Sequence, residues 1–251
     1  MQTALALLLS AALGASLGLL GGGGSILAVP MLVYVGAVEP RAAIGMSLAI
    51  VGMTSFFAGL LHARAGNVAI RQAALFGFLG IGASYWGARA TRGVQPGLLL
   101  VLFGAVMLVA GLAMLARRHA EEVSRARPPR LHVLVPVAIG LGVLTGALGV
   151  GGGFLVVPAL VLFGGLPMRL AVGTSLFVIA VNCAAGFVAH LSDRDLDLAR
   201  TVAFTVAALV GAIGGQRLAG RFSPMALRTA FGALVVLVAL VLLTKNAAAL
   251  F

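Results

Sequence analysis

The chain has 251 residues, 61% of them hydrophobic and only 9% charged, with a mean hydropathy of +1.15. A soluble domain of this length cannot cover itself with so little charge, and at least four uncharged stretches of 18 or more residues are long enough to cross a hydrocarbon core of about 30 Å. The net charge of +11 therefore reads as basic cytoplasmic loops of a polytopic membrane protein, not as a nucleic-acid surface, since no basic patch is interleaved with aromatics. Cys183 is the single cysteine, which excludes an intrachain disulfide and a cysteine-based metal cluster.

Taken in order, the first half shows apolar segments at about 3–20, 24–37, 42–61, 69–88 and 97–116. The opening segment resembles a signal peptide but lacks a basic n-region, and its counterpart at 132–149 is internal, so it is expected to be retained. A polar, basic stretch at 118–130, closed by Pro128 and Pro129, reads as a cytoplasmic linker. The second half follows with segments at about 131–148, 153–166, 170–189, 199–219 and 226–244. All are predicted helices: in lipid only helices and closed barrels satisfy their own backbone, and barrel alternation is missing.

The two halves, 1–117 and 131–251, are copies. Gly18–Pro30 reads G-L-L-G-G-G-G-S-I-L-A-V-P, and at an offset of 128 Gly146–Pro158 reads G-A-L-G-V-G-G-G-F-L-V-V-P. Between Gly18–Leu48 and Gly146–Leu176, 16 of 31 positions are identical. The fold class is thus all-α, a polytopic integral membrane protein of two homologous repeats, each with a glycine-broken first helix. If the chain turns back at the glycines the repeats are inverted, and the 17 Lys and Arg divide 11 against 6 between the two sides. If it crosses once, they divide 10 against 7. The positive-inside rule favours the inverted arrangement, with the linker in the cytoplasm.

The glycine runs are the first candidate site: Gly21, Gly22, Gly23, Gly24 and Ser25, then Gly149, Gly151, Gly152 and Gly153. A helix broken in the membrane offers free N–H groups and the positive end of a helix dipole, both suited to an anion. Close helix packing through small residues is the alternative. Each half also carries a polar stripe on an apolar helix. Ser47 and Thr54 share one face, as do Ser175 and Asn182, with Thr174 beside Ser175. Such groups donate hydrogen bonds to an oxyanion without burying a charge, or else bond their own helix. Arg41 and Arg169 align as pore-mouth cations or headgroup anchors, and His62 and His190 as proton relays or interfacial residues. All six carboxylates fall in predicted loops, which argues against a cation site. No metal site, cofactor, nucleotide-binding loop or catalytic set is predicted. The expected partners are a small anionic substrate and membrane lipid, with a homo-oligomer left open.

The doubled pattern G-x-x-G-x-G-G-[SG]-x-L-x-V-P, then R-x-A-x-G-x-S-L, then histidine and a polar loop, resembles the TauE/SafE family of membrane proteins over essentially the whole chain. Gly66-Asn67-Val68 fits the loop after the first histidine, while Asp195-Leu196-Asp197 departs from it in the second half. The resemblance implies export of small sulfur-containing anions: sulfite, sulfoacetate and related organosulfonates. The expectation is a secondary transporter, not an enzyme, in the bacterial cytoplasmic membrane. The alternatives are a carrier of another small solute, such as an amino acid or metal ion, and a membrane scaffold or receptor subunit.

Overall fold

A computed structural model of the chain describes residues 2–90, 96–116, 131–148, 153–190 and 197–246. Over these residues it is all-helical, as the composition requires. The elements are α1 (Gln2–Leu20), a 3-10 segment (Gly22–Leu27), α2 (Ala28–Tyr34), α3 (Pro40–Arg64), α4 (Ile70–Ala90) and α5 (Pro96–Ala116). Then come α6 (Leu131–Leu148), α7 (Gly153–Leu162), α8 (Met168–His190), α9 (Leu198–Ala219) and α10 (Pro224–Asn246). Within α3, α8, α9 and α10 lie spans long and apolar enough to cross a membrane.

Local chemistry sets several of these boundaries. Proline opens α3, α5 and α10, where its missing N–H and fixed φ do no harm. The Glu39 carboxylate accepts the Ala42 N–H at 3.1 Å, and the Ser223 hydroxyl accepts the Ala226 N–H at 3.1 Å. Asp197 caps α9 through the Arg200 N–H at 3.0 Å and pairs with the Arg200 guanidinium at 3.1 Å. The two short helices end alike. Gly36 and Val38 donate to the carbonyls of Met31 and Leu32, and Gly164 and Leu166 donate to those of Ala159 and Leu160, each at the 128-residue offset. The residue at each turn is left-handed: Ala37 with φ 51 and Gly165 with φ 62.

The first glycine run turns the chain back. Gly21 has φ 73, which glycine adopts freely, and the α-helix stops before it. Gly24 then lies against Leu13 and Leu17 of α1. Further on, the Ser10 hydroxyl meets the Met31 sulfur at 3.7 Å, so α2 runs back alongside α1. The corresponding turn of the second half, including Gly149, Gly151 and Gly152, lies outside the described residues.

The halves interlock. The main packing pairs are α1 with α9, α4 with α6, α3 with α8, and α5 with α10. Along the third pair, Gly52 meets Cys183, Gly59 meets Phe177 and Gly186 meets Leu48. Along the fourth, Gly104 meets Leu243 and Gly111 meets Val236. In both pairs one number rises as the other falls, so each helix runs antiparallel to its own counterpart in the other half. The remaining pairs are images of one another. Gly14 lies on Ala208 and Gly142 on Gly80; Gly215 lies on Ala15 and Gly87 on Val143. A Cβ at Gly14, Gly87 or Gly215 would overlap the facing backbone, so glycine is what lets these helices touch.

Candidate polar seam between the halves

α3 and α8 form the centre of the molecule, and more than half of each span is buried. The register just given sets Thr54 level with Asn182, near the middle of both helices. These two are also counterparts at the 128-residue offset. Thr54 and Ser55 are fully buried, and neither hydroxyl has a protein partner. The Asn182 carbonyl oxygen is likewise buried and unpartnered. Gly80 of α4 leaves room for that amide, since a Cβ there would sit 3.3 Å from the oxygen. An unmade hydrogen bond in a buried place costs about 1–3 kcal/mol, so native interiors hold few of them. Three such groups lie near mid-span of the two central helices.

A second polar level lies seven residues along α8, roughly 10 Å away. Here Gly21 packs against α8, where a Cβ would lie 2.8 Å from the Ser175 hydroxyl and 3.3 Å from Val172. The Ser175 hydroxyl donates to the Val172 carbonyl at 2.8 Å, and Ser47 repeats this with Ile44 at 2.8 Å. Thr174 donates to the Leu170 carbonyl at 2.6 Å and accepts the Ala69 N–H at 2.9 Å. Nearby, Nε2 of His62 lies 3.1 Å from the Gly18 carbonyl oxygen. Ser47, Thr174 and Ser175 therefore bond helix backbone, while Thr54, Ser55 and Asn182 are left open.

The remaining candidates divide as follows. Gly22, Gly23 and Gly24 are buried, with Gly23 facing Phe231 and Leu234, and Ser25 donates to the Gly22 carbonyl at 2.7 Å. The first glycine run is thus closely packed at one end of the seam. Gly153 opens α7. Arg169 is exposed and donates to the Phe222 carbonyl at 3.1 Å, which ties the start of α8 to the α9–α10 turn. The side chains of Arg41 and His190 lie outside the described residues. Sequence reasoning passed over Ser55 and Gly80. A signal for Ser55 existed, since Thr54-Ser55 and Asn182-Cys183 are polar or polarisable dyads at matched positions.

Two interlocked antiparallel halves around a buried polar seam, with spans apolar enough for lipid, are the build of an integral membrane transporter. The chain matches the family described as Sulfite exporter TauE/SafE across residues 6–242, and it belongs to that family of membrane transporters. It is 36% identical over 244 residues to a probable membrane transporter protein of Xylella fastidiosa, covering 94% of this chain and 93% of that one. It is 25% identical to the probable membrane transporter protein YdhB of Bacillus subtilis, over 87% of this chain and 91% of that one. A probable membrane transporter protein of Methanocaldococcus jannaschii is 26% identical over 69% of this chain and 67% of its own. No solved structure matches.

Proposed function

We propose that this protein is a secondary transporter that moves a small sulfur-containing oxyanion, such as sulfite, sulfoacetate or a related organosulfonate, outward across the bacterial cytoplasmic membrane. The observation that carries the reading is that three buried polar groups near mid-span of the two central helices, on Thr54, Ser55 and Asn182, have no protein partner. Hydroxyls with no fixed partner can turn their protons toward an anion. The described spans carry no carboxylate to repel it. The glycine turn at Gly21–Gly24 and the residues Ser25 and Ser175 flank the path at one end. That end also holds Arg64, Arg71, Arg169, Arg217, Arg221 and Arg228, and by the positive-inside rule it faces the cytoplasm. Rocking of one half against the other would open the seam to each side in turn.

The test is flux from liposomes that hold the purified protein and are loaded with sulfite, sulfoacetate or taurine. Release faster than from protein-free vesicles, and slowed by changing Thr54 and Asn182, is the expected result. Release no faster than the protein-free control for every one of these anions would sink the substrate assignment.

A further inference from the structure

His62 is a buried side chain with one occupied nitrogen and one vacant one. It is 4% exposed, two residues before the end of α3. Its Nε2 contacts the Gly18 carbonyl oxygen at 3.1 Å. A carbonyl only accepts, so Nε2 holds the hydrogen, and in the neutral ring Nδ1 is then a bare lone pair. Nδ1 is buried and has no protein partner. The last turn of α1 brings its Gly18 carbonyl to this ring, which itself sits in the last turn of α3. The negative pole of a helix stabilises a cation there. Arg228 of α10 is buried and donates to the Met114 carbonyl at 2.9 Å. Arg64 of α3, Arg71 of α4, Arg169 of α8 and Arg217 of α9 are all exposed, and no Asp or Glu lies within α1, α3, α4, α8 or α9.

We propose that Nδ1 of His62 is the proton-loading site that couples anion movement to the proton gradient, an inference that rests on the transporter reading above. A proton from water on one side forms an N–H bond at Nδ1 and later leaves to water on the other side. The Nε2–H bond to Gly18 persists throughout, and no other bond changes. His62 is eight residues from Thr54 and seven from Ser55, along one face of α3, roughly 12 Å from the former. At that distance a positive ring favours an anion in the seam by roughly tenfold in affinity. Loading the proton and loading the anion thus assist each other.

Two measurements on the full chain test this. The first is nitrogen NMR of histidine-labelled protein in lipid nanodiscs, with the His62 signal assigned by its loss in His62→Gln. Should that variant fail to fold, replacing His119, His132 and His190 instead gives the assignment. The expected signal is an Nε2–H tautomer at high pH that gains a second proton on Nδ1 as the medium is acidified, with the fold intact. A ring that stays neutral in the folded protein on acidification, or that holds its proton on Nδ1, overturns the proposal. The second is liposome flux with and without an imposed pH gradient. Wild type should be accelerated by the gradient. His62→Gln, whose amide can still donate to Gly18, should keep gradient-free exchange and lose the acceleration; retention of the acceleration refutes the coupling role. If wild type moves none of the tested anions, the substrate assignment fails, and the NMR arm still decides the proton site.

Discussion

Changing Thr54 to Val and Asn182 to Leu separates a seam built for a guest from one built for the fold. Valine has the shape of threonine without the hydroxyl, so Thr54→Val removes one fully buried, unpartnered oxygen and little else. Asn182→Leu removes a second. In a soluble protein each such group costs about 1–3 kcal/mol. In lipid the figure shrinks, because the unfolded helix also sits in the membrane and finds partners there, and side-chain hydrogen bonds average about 0.6 kcal/mol. The double variant should therefore be as stable as wild type, or more stable by roughly 0.5–2 kcal/mol. Transport should move the other way. A lost hydrogen bond to a bound anion is worth about 1.5 kcal/mol or more, a fall of about tenfold in affinity for each group. Reversible unfolding in mixed micelles measures the first quantity and liposome flux the second, on both single variants and the double. A double variant less stable than wild type by more than about 1 kcal/mol would mean that the two side chains hold the fold together. Unchanged flux would mean that the guest does not touch them.

Three further outcomes follow from the geometry. Gly66→Ala, at φ 73 in open space, should cost only the backbone term of about 1–2 kcal/mol, whereas Gly21→Ala, also at φ 73 but against Ser175, should cost about 1–3 kcal/mol more by unfolding midpoint. Ala37→Gly gives the first half the residue that Gly165 provides in the second, and should stabilise the protein by about 0.5–1 kcal/mol in the same assay. Single cysteines at Ala65 and Ser223 should be labelled by an impermeant thiol reagent from one face of oriented vesicles and one at Ala37 from the other, with buried Cys183 silent; labelling of position 223 from the face of position 37, opposite position 65, refutes the turned-back arrangement.

Helix positions were legible in the sequence because lipid leaves a segment few choices. The apolar run at 3–20 corresponds to α1 at Gln2–Leu20, and that at 199–219 to α9 at Leu198–Ala219. Prolines and acidic caps mark the starts. The run expected over 153–166 stops at Leu162, because the chain turns there with Gly165 left-handed at φ 62. The expected run at 24–37 begins as a 3-10 segment, since consecutive glycines give an α-helix little reason to persist. What could not be read was pairing across the halves. His62 lies near a helix end, where a sequence suggests headgroups and water, yet the end of α1 covers it. Ser47 and Ser175 look much like Thr54 and Ser55 in sequence. The first two spend their hydroxyls on their own helix and the last two do not, a difference set by side-chain rotamer and neighbours.

On the proposed reading, the relation between the halves favours mid-span over the first glycine turn as the place for a guest. With α3 and α8 antiparallel, a residue and its counterpart usually lie at opposite ends of the molecule. Ser175 stands beside the first glycine turn, and its counterpart Ser47 lies toward the far end. The register brings a residue level with its own counterpart only near mid-span, and the polar pair at that level is Thr54 and Asn182. On the proposed reading, an exchange of conformation between the halves would open one end and close the other while leaving this crossing fixed. A guest held there sees each side of the membrane in turn without being moved itself.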